Sequence, residues 1–324
     1  MIVGRTQLLY GVLGAASAAS LIAALALGSF PVGFTGVVDS VLFPAPGLIH
    51  DIVWNLRAPR ALAAYACGAL LALAGTMLQV LLRNALADPY VLGVSAGASL
   101  GALLAITAGA GAVAMNASAL VGAAAAIVVV FGLSYRTGDW NVYRLLLTGV
   151  VLSAGLSALI SLTLVLAPDA QIKGMLFWLM GDLSQAQTPA YAWLVLTVLG
   201  ALALAGALRL DLLALGELKA RSLGVAVGPL QIAVFLASAL ATVTAVTLGG
   251  AIGFIGLIAP HAIRLAGVAH HRALIPLSML LGGALLTVAD TAARTVWAPQ
   301  QLPVGIFTAL IGVPAKLYLL GRGR

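Results

Sequence analysis

This sequence predicts an all-α polytopic membrane protein with about ten transmembrane helices and cytoplasmic N- and C-termini. Three observations carry that reading. Of the 324 residues, 62% are hydrophobic and only 8% charged, against roughly 25% charged in an ordinary soluble domain. That is too little charge to cover a water-facing surface. The apolar residues gather in runs of about 20, the length a helix needs to cross the hydrocarbon core. The basic residues divide unequally between the two sides that those runs define. The length allows a single transmembrane domain over residues 1–324, with short loops and no room for a folded soluble domain.

In chain order the expected spans are approximately Leu8–Phe30, Ala61–Leu82, Val91–Ala112, Ala114–Ser134, Leu145–Ala167, Pro189–Leu208, Leu230–Gly250, Ile252–Ala269, Leu274–Ala293 and Leu302–Leu320. Each is bounded by Pro, Gly or charged breaks. The first follows Arg5 as a signal peptide would. Its apolar run is long enough to span and lacks a small-residue cleavage site, so it is read as a retained span. In the turn RNALADP, Asp88–Pro89 ends one helix and starts the next. Between the fifth and sixth spans, PDAQIKGMLFWLMGDLSQ (Pro168–Gln185) is too short to cross and is expected to form a short outer helix. The seventh and eighth spans run together through a glycine-rich break.

With a cytoplasmic N-terminus, the inner side holds Arg5, Arg83, Arg136, Arg144, Arg209, Lys219, Arg221, Arg264, Arg272, Lys316, Arg322 and Arg324. The outer side holds only Arg57, Arg60, Lys173 and Arg294. This is a strong positive-inside bias, and an even number of spans returns the C-terminus to the inner side. No acidic residue falls in the middle of a span, so no ionisable relay of the kind found in ion-coupled carriers is expected. Backbone carbonyls at broken helices remain another way to hold sodium. Cys67 is the only cysteine, which excludes an intrachain disulfide and cysteine metal sites; it reads as a small packing residue. The net charge of +7 comes from singly scattered bases that form no patch for nucleic acid. Gly93, Gly97 and Gly101, and likewise Gly249 and Gly253, recur every four residues. That spacing lets helix backbones approach closely in lipid.

A phosphate-cradling loop needs Lys followed by Ser or Thr after a glycine-rich run. Lys173, Lys219 and Lys316 are followed by Gly174, Ala220 and Leu317. With neither that loop nor a relay, the chain is a passive pore or draws energy from a partner docked on its inner face. The longest polar inner segment is RLDLLALGELKARSLGVAVGPL (Arg209–Leu230). Leu212–Leu215 and Glu217–Leu223 read as two short helices, with Gly216 as the break and Gly224 as the stop. Glu217 and Arg221 stand four apart, a favourable helix pair. Spacing alone also fits a solvated connector.

At this loop the chain resembles a known family, the permease subunits of ATP-binding-cassette importers for ferric siderophores, haem and vitamin B12. The resemblance covers nearly the whole length. It rests on RAPRALAAYACGALLALAGTMLQVLLRNALADPYVLGVSAGASLGA (Arg57–Ala102), RLLLTGVVLS (Arg144–Ser153), ALGELKARSLGV (Ala214–Val225), GFIGLIAPHAIRL (Gly253–Leu265) and LPVGIFTALIGVP (Leu302–Pro314). It implies a homodimer of this chain in the lipid of the bacterial inner membrane, with the pathway on the two-fold axis. Two ATP-binding-cassette ATPase subunits, which bind ATP and Mg, lie below, and a periplasmic substrate-binding protein lies above. No nucleic acid is implied, and no cofactor or metal on this chain. The loop at about 209–230 then becomes the ATPase-coupling element, through Leu213, Gly216, Glu217, Arg221 and Gly224. Arg57, Arg60 and Arg294 match positions that dock the binding protein, although snorkelling would also place Arg57 and Arg60 at the interface. The inner gate is similar to Asn84 and Leu86 of RNALADP and to Val142 and Tyr143 before the fifth span. Tyr143 is bulkier than the small polar residues that some relatives carry there, which alters the expected shape of the gate.

Among the family's substrates, the Pro168–Gln185 stretch looks more like that of haem permeases than that of vitamin B12 permeases. Lys173 stands where a basic residue occurs in some haem permeases and would meet the haem propionates; an exposed interfacial lysine is the plainer reading. Haem is the expected substrate, with a ferric siderophore or vitamin B12 as the alternative. His50, His261, His270 and His271 are not expected to ligate iron, because strong ligation ill suits a substrate that must leave. His261 is expected to be structural, and His270 and His271 to sit solvated in an inner loop. An ion-coupled carrier is disfavoured by the missing intramembrane acid or base. A membrane-embedded enzyme is disfavoured because the nine acidic residues form no cluster. The chain is expected to be a transport subunit, with ATP hydrolysis on a separate partner.

Overall fold

A computed structural model describes residues 2–322 apart from 44, 137, 138, 141, 185, 187 and 188; side chains at 2, 3, 135, 136, 139, 140, 142, 315 and 318–322 lie outside the description. The chain runs through α1 (Ile2–Ala26), α2 (Gly33–Leu42), α3 (Leu48–Asp51), a π-helical segment (Ile52–Arg57) and α4 (Ala58–Leu81). A 3₁₀ turn (Pro89–Leu92) leads into α5 (Val94–Thr107) and α6 (Ala112–Ser134). A small antiparallel ladder, β1 (Tyr135–Arg136) with β2 (Asp139–Trp140), precedes α7 (Val142–Leu166). Then come α8 (Asp169–Met180), α9 (Ala190–Ala205), α10 (Ala207–Ala214), α11 (Glu217–Ser222) and α12 (Val227–Gly249). The chain closes with α13 (Ile255–Leu265), α14 (His271–Thr295) and α15 (Val304–Arg322).

Each of the ten expected runs overlies a helix, and among the described residues the fold is all-helical apart from the ladder of two residues a side. Among the described residues six helices are long and apolar enough to cross alone, and α9 with α10, bent by 64°, makes a seventh. The other three runs give the shorter apolar helices α5, α13 and Val304–Pro314 of α15. α5 and α13 are short because each starts three residues later than its expected span and stops before its end, ahead of Gly109 at φ 70° and Gly267 at φ 88°. Two elements were not expected. α2 lies outside any expected span, and the second span starts earlier, because Leu48–Leu81 forms one continuous helix.

Composition places α4 at the centre. Its Ala- and Gly-rich face lets neighbours approach from every side, and nearly all of its residues from Ala61 to Leu81 are buried. A Cβ on Gly68 would lie 2.2 Å from the Gly282 carbonyl oxygen of α14, and one on Gly75 would lie 1.8 Å from the Gly256 carbonyl oxygen of α13. α12 lies on a third side, where Ser238 Oγ donates to the Ala74 carbonyl at 3.1 Å and Cys67 Sγ to the Ala245 carbonyl at 3.4 Å. Cys67 is thus a buried packing residue. The Gly97 and Gly101 stripe packs α5 on α6, where added Cβ atoms would meet the carbonyls of Gly122 and Ser118 at 2.4 and 2.1 Å. Gly249 and Gly253 do not form a second stripe. α12 ends at Gly249, and a Cβ on Gly253 would meet nothing within 4 Å.

α7 is the opposite case, apolar all round with almost no residue buried in the span. A helix of that kind is surrounded by lipid or by another chain.

Candidate permease pathway and its charged ends

Loop charge sets α4's start and α14's end on the outer side. There, all three outer arginines turn inward. Arg57, at the junction of the π segment and α4, donates from Nη1 to the Leu25 and Ala26 carbonyls at 2.7 and 3.0 Å, and from Nη2 to Phe30. Arg294 donates from Nη2 to the Ala24 carbonyl at 2.6 Å. The last carbonyls of a helix lack intrahelical partners, and here two guanidinium groups supply them for α1. α1 ends at Ala26 although the apolar run continues to Phe30, because Gly28 and Pro31 break the helix. Arg60 meets Asp290 side-on: Nε lies 3.1 and 3.0 Å from the two carboxylate oxygens and Nη2 lies 2.8 Å from Oδ1. Asp290 is also 3.4 Å from Arg294 Nε. Arg57 and Arg294 are therefore buried and committed within the chain. Arg60 alone reaches further, with Nη1 donating to Gln301 at 2.7 Å.

Also on the outer side, the ends of α5, α6, α8, α9 and α12 line an open cavity of about 580 Å³. Lys173, Phe177, Trp178, Asp182 and Tyr191 line it. α8 is the short outer helix expected from the sequence, and it places Lys173 Nζ 5.9 Å from the Phe177 ring centroid, one turn along. The cavity floor is made of broken backbone. α12 stops at Gly249 and the chain runs without helix to Ile255, with Gly250 and Phe254 both at φ 72°. Non-helical backbone at membrane depth must find partners. Tyr90 supplies two at once: its hydroxyl donates to the Ile252 carbonyl at 2.8 Å and accepts the Ile252 N–H at 2.9 Å. Asp182 N–H donates to the Gly249 carbonyl at 2.8 Å, and Val304 N–H to the Gly181 carbonyl at 3.0 Å. Nothing in the local sequence marks Tyr90 for this, because Ile252 lies 162 residues away.

On the inner side the RNALADP turn comes back toward the core. Asn84 Oδ1 accepts the Leu86 N–H at 2.8 Å, which closes the turn, and Asn84 and Leu86 stay exposed. Asp88 Oδ1 accepts the Tyr90 N–H at 2.8 Å and starts the 3₁₀ turn. Burial pushes the Asp88 carboxyl up, against the opposing pull of that N–H and of the Lys316 charge. Asp88→Asn keeps the acceptor and removes the charge, so thermal melting in detergent is expected to match or exceed the parent. Asp88→Ala removes the cap and is expected to cost about 1 kcal/mol. Tyr143, at the start of α7, is exposed. Val142 begins α7, and its side chain lies outside the description.

The polar inner loop folds as two short helices broken where expected. Gly216, at φ 106°, separates α10 from α11, and Gly224, at φ 82°, follows it. α10 begins earlier than expected, inside the sixth run. Leu213 is buried, and Arg221 is exposed. Glu217 does not turn to Arg221. It accepts from Gln231 Nε2 of α12 at 3.1 Å and lies 3.9 Å from Arg83. Arg83, in the left-handed region at φ 46°, thereby joins the gate-like turn to the loop.

A model of the FecCD transport family matches residues 16–322. The chain belongs to this family. This FecCD permease is 38% identical to the hemin transport system permease protein HmuU of Yersinia pestis, over 94% of each chain. It is 40% identical to the cobalamin import system permease protein BtuC of Halobacterium salinarum, over 86% of this chain and 75% of that one. A solved inward-facing conformation of a metal-chelate type ABC transporter superposes with a TM-score of 0.85 at 29% identity, covering 98% of this chain and 99% of the other. The FecCD permease is thus the multi-pass subunit of an ATP-binding-cassette importer in the inner membrane, a transport component and not an enzyme.

Proposed function

We propose that this FecCD permease moves haem, or a related iron chelate, across the inner membrane by alternating access in a homodimer. The observation that carries the substrate is the outer cavity. Lys173 lines it together with Phe177, Trp178 and Tyr191, a combination suited to a flat aromatic chelate with carboxylate arms. The likeness to a hemin permease over 94% of both chains supports the same reading. The cobalamin permease relative, at 40% identity, keeps vitamin B12 as the second reading; a ferric siderophore is the third.

In this reading residues 1–324 act as one transmembrane domain. The exposed apolar α7 faces the second copy across the pathway as well as lipid. Asn84, Leu86, Val142 and Tyr143 form the inner gate, and Lys173 stands at the outer mouth. The 209–230 loop, with Leu213, Gly216, Glu217, Arg221 and Gly224, couples to two ATPase subunits that hold ATP and Mg. The periplasmic binding protein docks over Arg57, Arg60 and Arg294. Because Arg57 and Arg294 are committed to α1, their part is a field rather than direct contact: three arginines against one aspartate attract an acidic partner.

The test is haem uptake into liposomes that hold this chain with its ATPase, supplied with the binding protein, with and without ATP. ATP-dependent haem uptake that falls severalfold in Lys173→Ala is the expected result. Uptake of cobalamin or a ferric siderophore with no haem uptake would overturn the substrate and leave the mechanism standing.

A further inference from the structure

The FecCD permease holds α14 by charge at both ends. The outer end is the Arg60–Asp290–Arg294 group. The inner end was expected to be solvated, and it is not. His270 is exposed, but His271 is only 3% exposed and begins α14. His270 provides no side-chain cap for the helix. The cap comes from another element: Asp211 of α10 accepts the His271 N–H at 2.9 Å and lies 2.5 Å from His271 Nδ1. Its other oxygen is 3.5 Å from His270 Nδ1. A carboxylate at a helix N-terminus satisfies orphan N–H groups and complements the helix dipole. α10 meets α9 through a 64° bend at Gly206, so the coupling helices leave the span at a sharp angle. This carboxylate ties them to α14, which is about 37 Å long at 1.5 Å per residue.

We infer that Asp211 is a positioning residue that links the coupling helices α10 and α11 to α14, so that displacement by the ATPase shifts α14 and reaches its outer charge group. The link is directional. Apolar contacts between helices slide, whereas two hydrogen bonds to one backbone N–H and one ring fix the relative position of α10 and α14. Hydrogen-bond networks and secondary elements are among the physical carriers of coupling between distant sites, and α14, with Pro276 inside it, is held at both ends. The inference rests on the 209–230 loop being the ATPase-coupling element.

The experiment uses the full complex in liposomes and measures the stimulation of ATP hydrolysis by the binding protein, per assembled complex. Asp211→Ala is expected to reduce that stimulation at least fivefold. His271→Phe keeps the buried volume and the backbone N–H but removes the ring bond, and is expected to reduce it at least twofold. A purely structural role would lower the amount of assembled complex and leave stimulation per complex unchanged. If Asp211→Ala fails to assemble, His271→Phe decides. Unchanged stimulation per complex in these variants overturns the inference. Glu217→Lys separates the two levels. Loss of assembly or stimulation in Glu217→Lys, with Asp211→Ala unaffected, sinks the α14 link alone. Normal assembly and stimulation in Glu217→Lys sinks the coupling reading and the link with it.

Discussion

Asp290→Ala is expected to destabilise the FecCD permease by about 3–5 kcal/mol, the range for breaking a buried pair by removing one partner. The Asp290 side chain is 2% exposed and Arg60 and Arg294 are 12% and 7% exposed. Deleting the carboxylate leaves two guanidinium groups facing one another with no anion between them. Arg294 can still reach the Ala24 carbonyl, but Arg60 keeps only Gln301. Arg60→Ala should cost less, because Asp290 retains Arg294. Asp290→Asn, which can still accept, should fall between the two. Thermal melting of the purified protein in detergent gives the order. A melting temperature for Asp290→Ala within a degree of the parent would show that the group is hydrated and not a buried triad. The same logic bears on docking. A charge reversal at Arg57 or Arg294 would strip the carbonyls of α1 as well as change the outer field, so a binding defect there means docking only if melting is unchanged.

Gly75→Ala is expected to be the most damaging single methyl group added to the core. Its Cβ would lie 1.8 Å from the Gly256 carbonyl oxygen, 2.5 Å from the carbonyl carbon and 2.8 Å from Cα. Every one of these atoms is backbone, so no side chain can swing aside and α4 and α13 must separate. Overpacking typically costs about 1–3 kcal/mol, and a clash with backbone belongs at or above the top of that range. The damage should spread to transport, because α13 begins just beyond the Tyr90–Ile252 contact that fixes the break at the cavity floor. Gly14→Ala is the control. Its Cβ would meet nothing within 4 Å, and the exchange of Gly for Ala in a helix is otherwise neutral or favourable. Equal melting of the two variants would refute the close α4–α13 approach.

Much of the site lies where short-range reasoning reaches. The helix breaks at Gly216 and Gly224, the short α8 and the RNALADP reversal follow from glycine, proline and hydrophobic run length, which are local properties. What escaped was long-range pairing of polar groups. Arg83 with Glu217, Arg60 with Asp290, Asp211 with His271 and Tyr90 with Ile252 each join residues 60 or more positions apart. A sequence of scattered single charges shows that each must be satisfied, and not by which partner. The outer arginines illustrate the point. Their place on the outer side is legible, but their direction depends on the open carbonyls at the end of α1, which lie 27 or more positions away in the chain.

The sequence by itself determined the class, the place of the ten apolar runs, the sidedness of the loops and the family, because hydrocarbon thickness, charge asymmetry and extended motifs act along the chain without reference to neighbours. Only the tertiary structure decided which helix is central, which glycines carry close approach, and which buried charges pair across α4, α10 and α14. The physical reason is that lipid solvates apolar side chains as well as other helices do. An apolar run does not announce its neighbour, and the choice falls to backbone fit between small residues and to the few polar groups that lipid cannot satisfy.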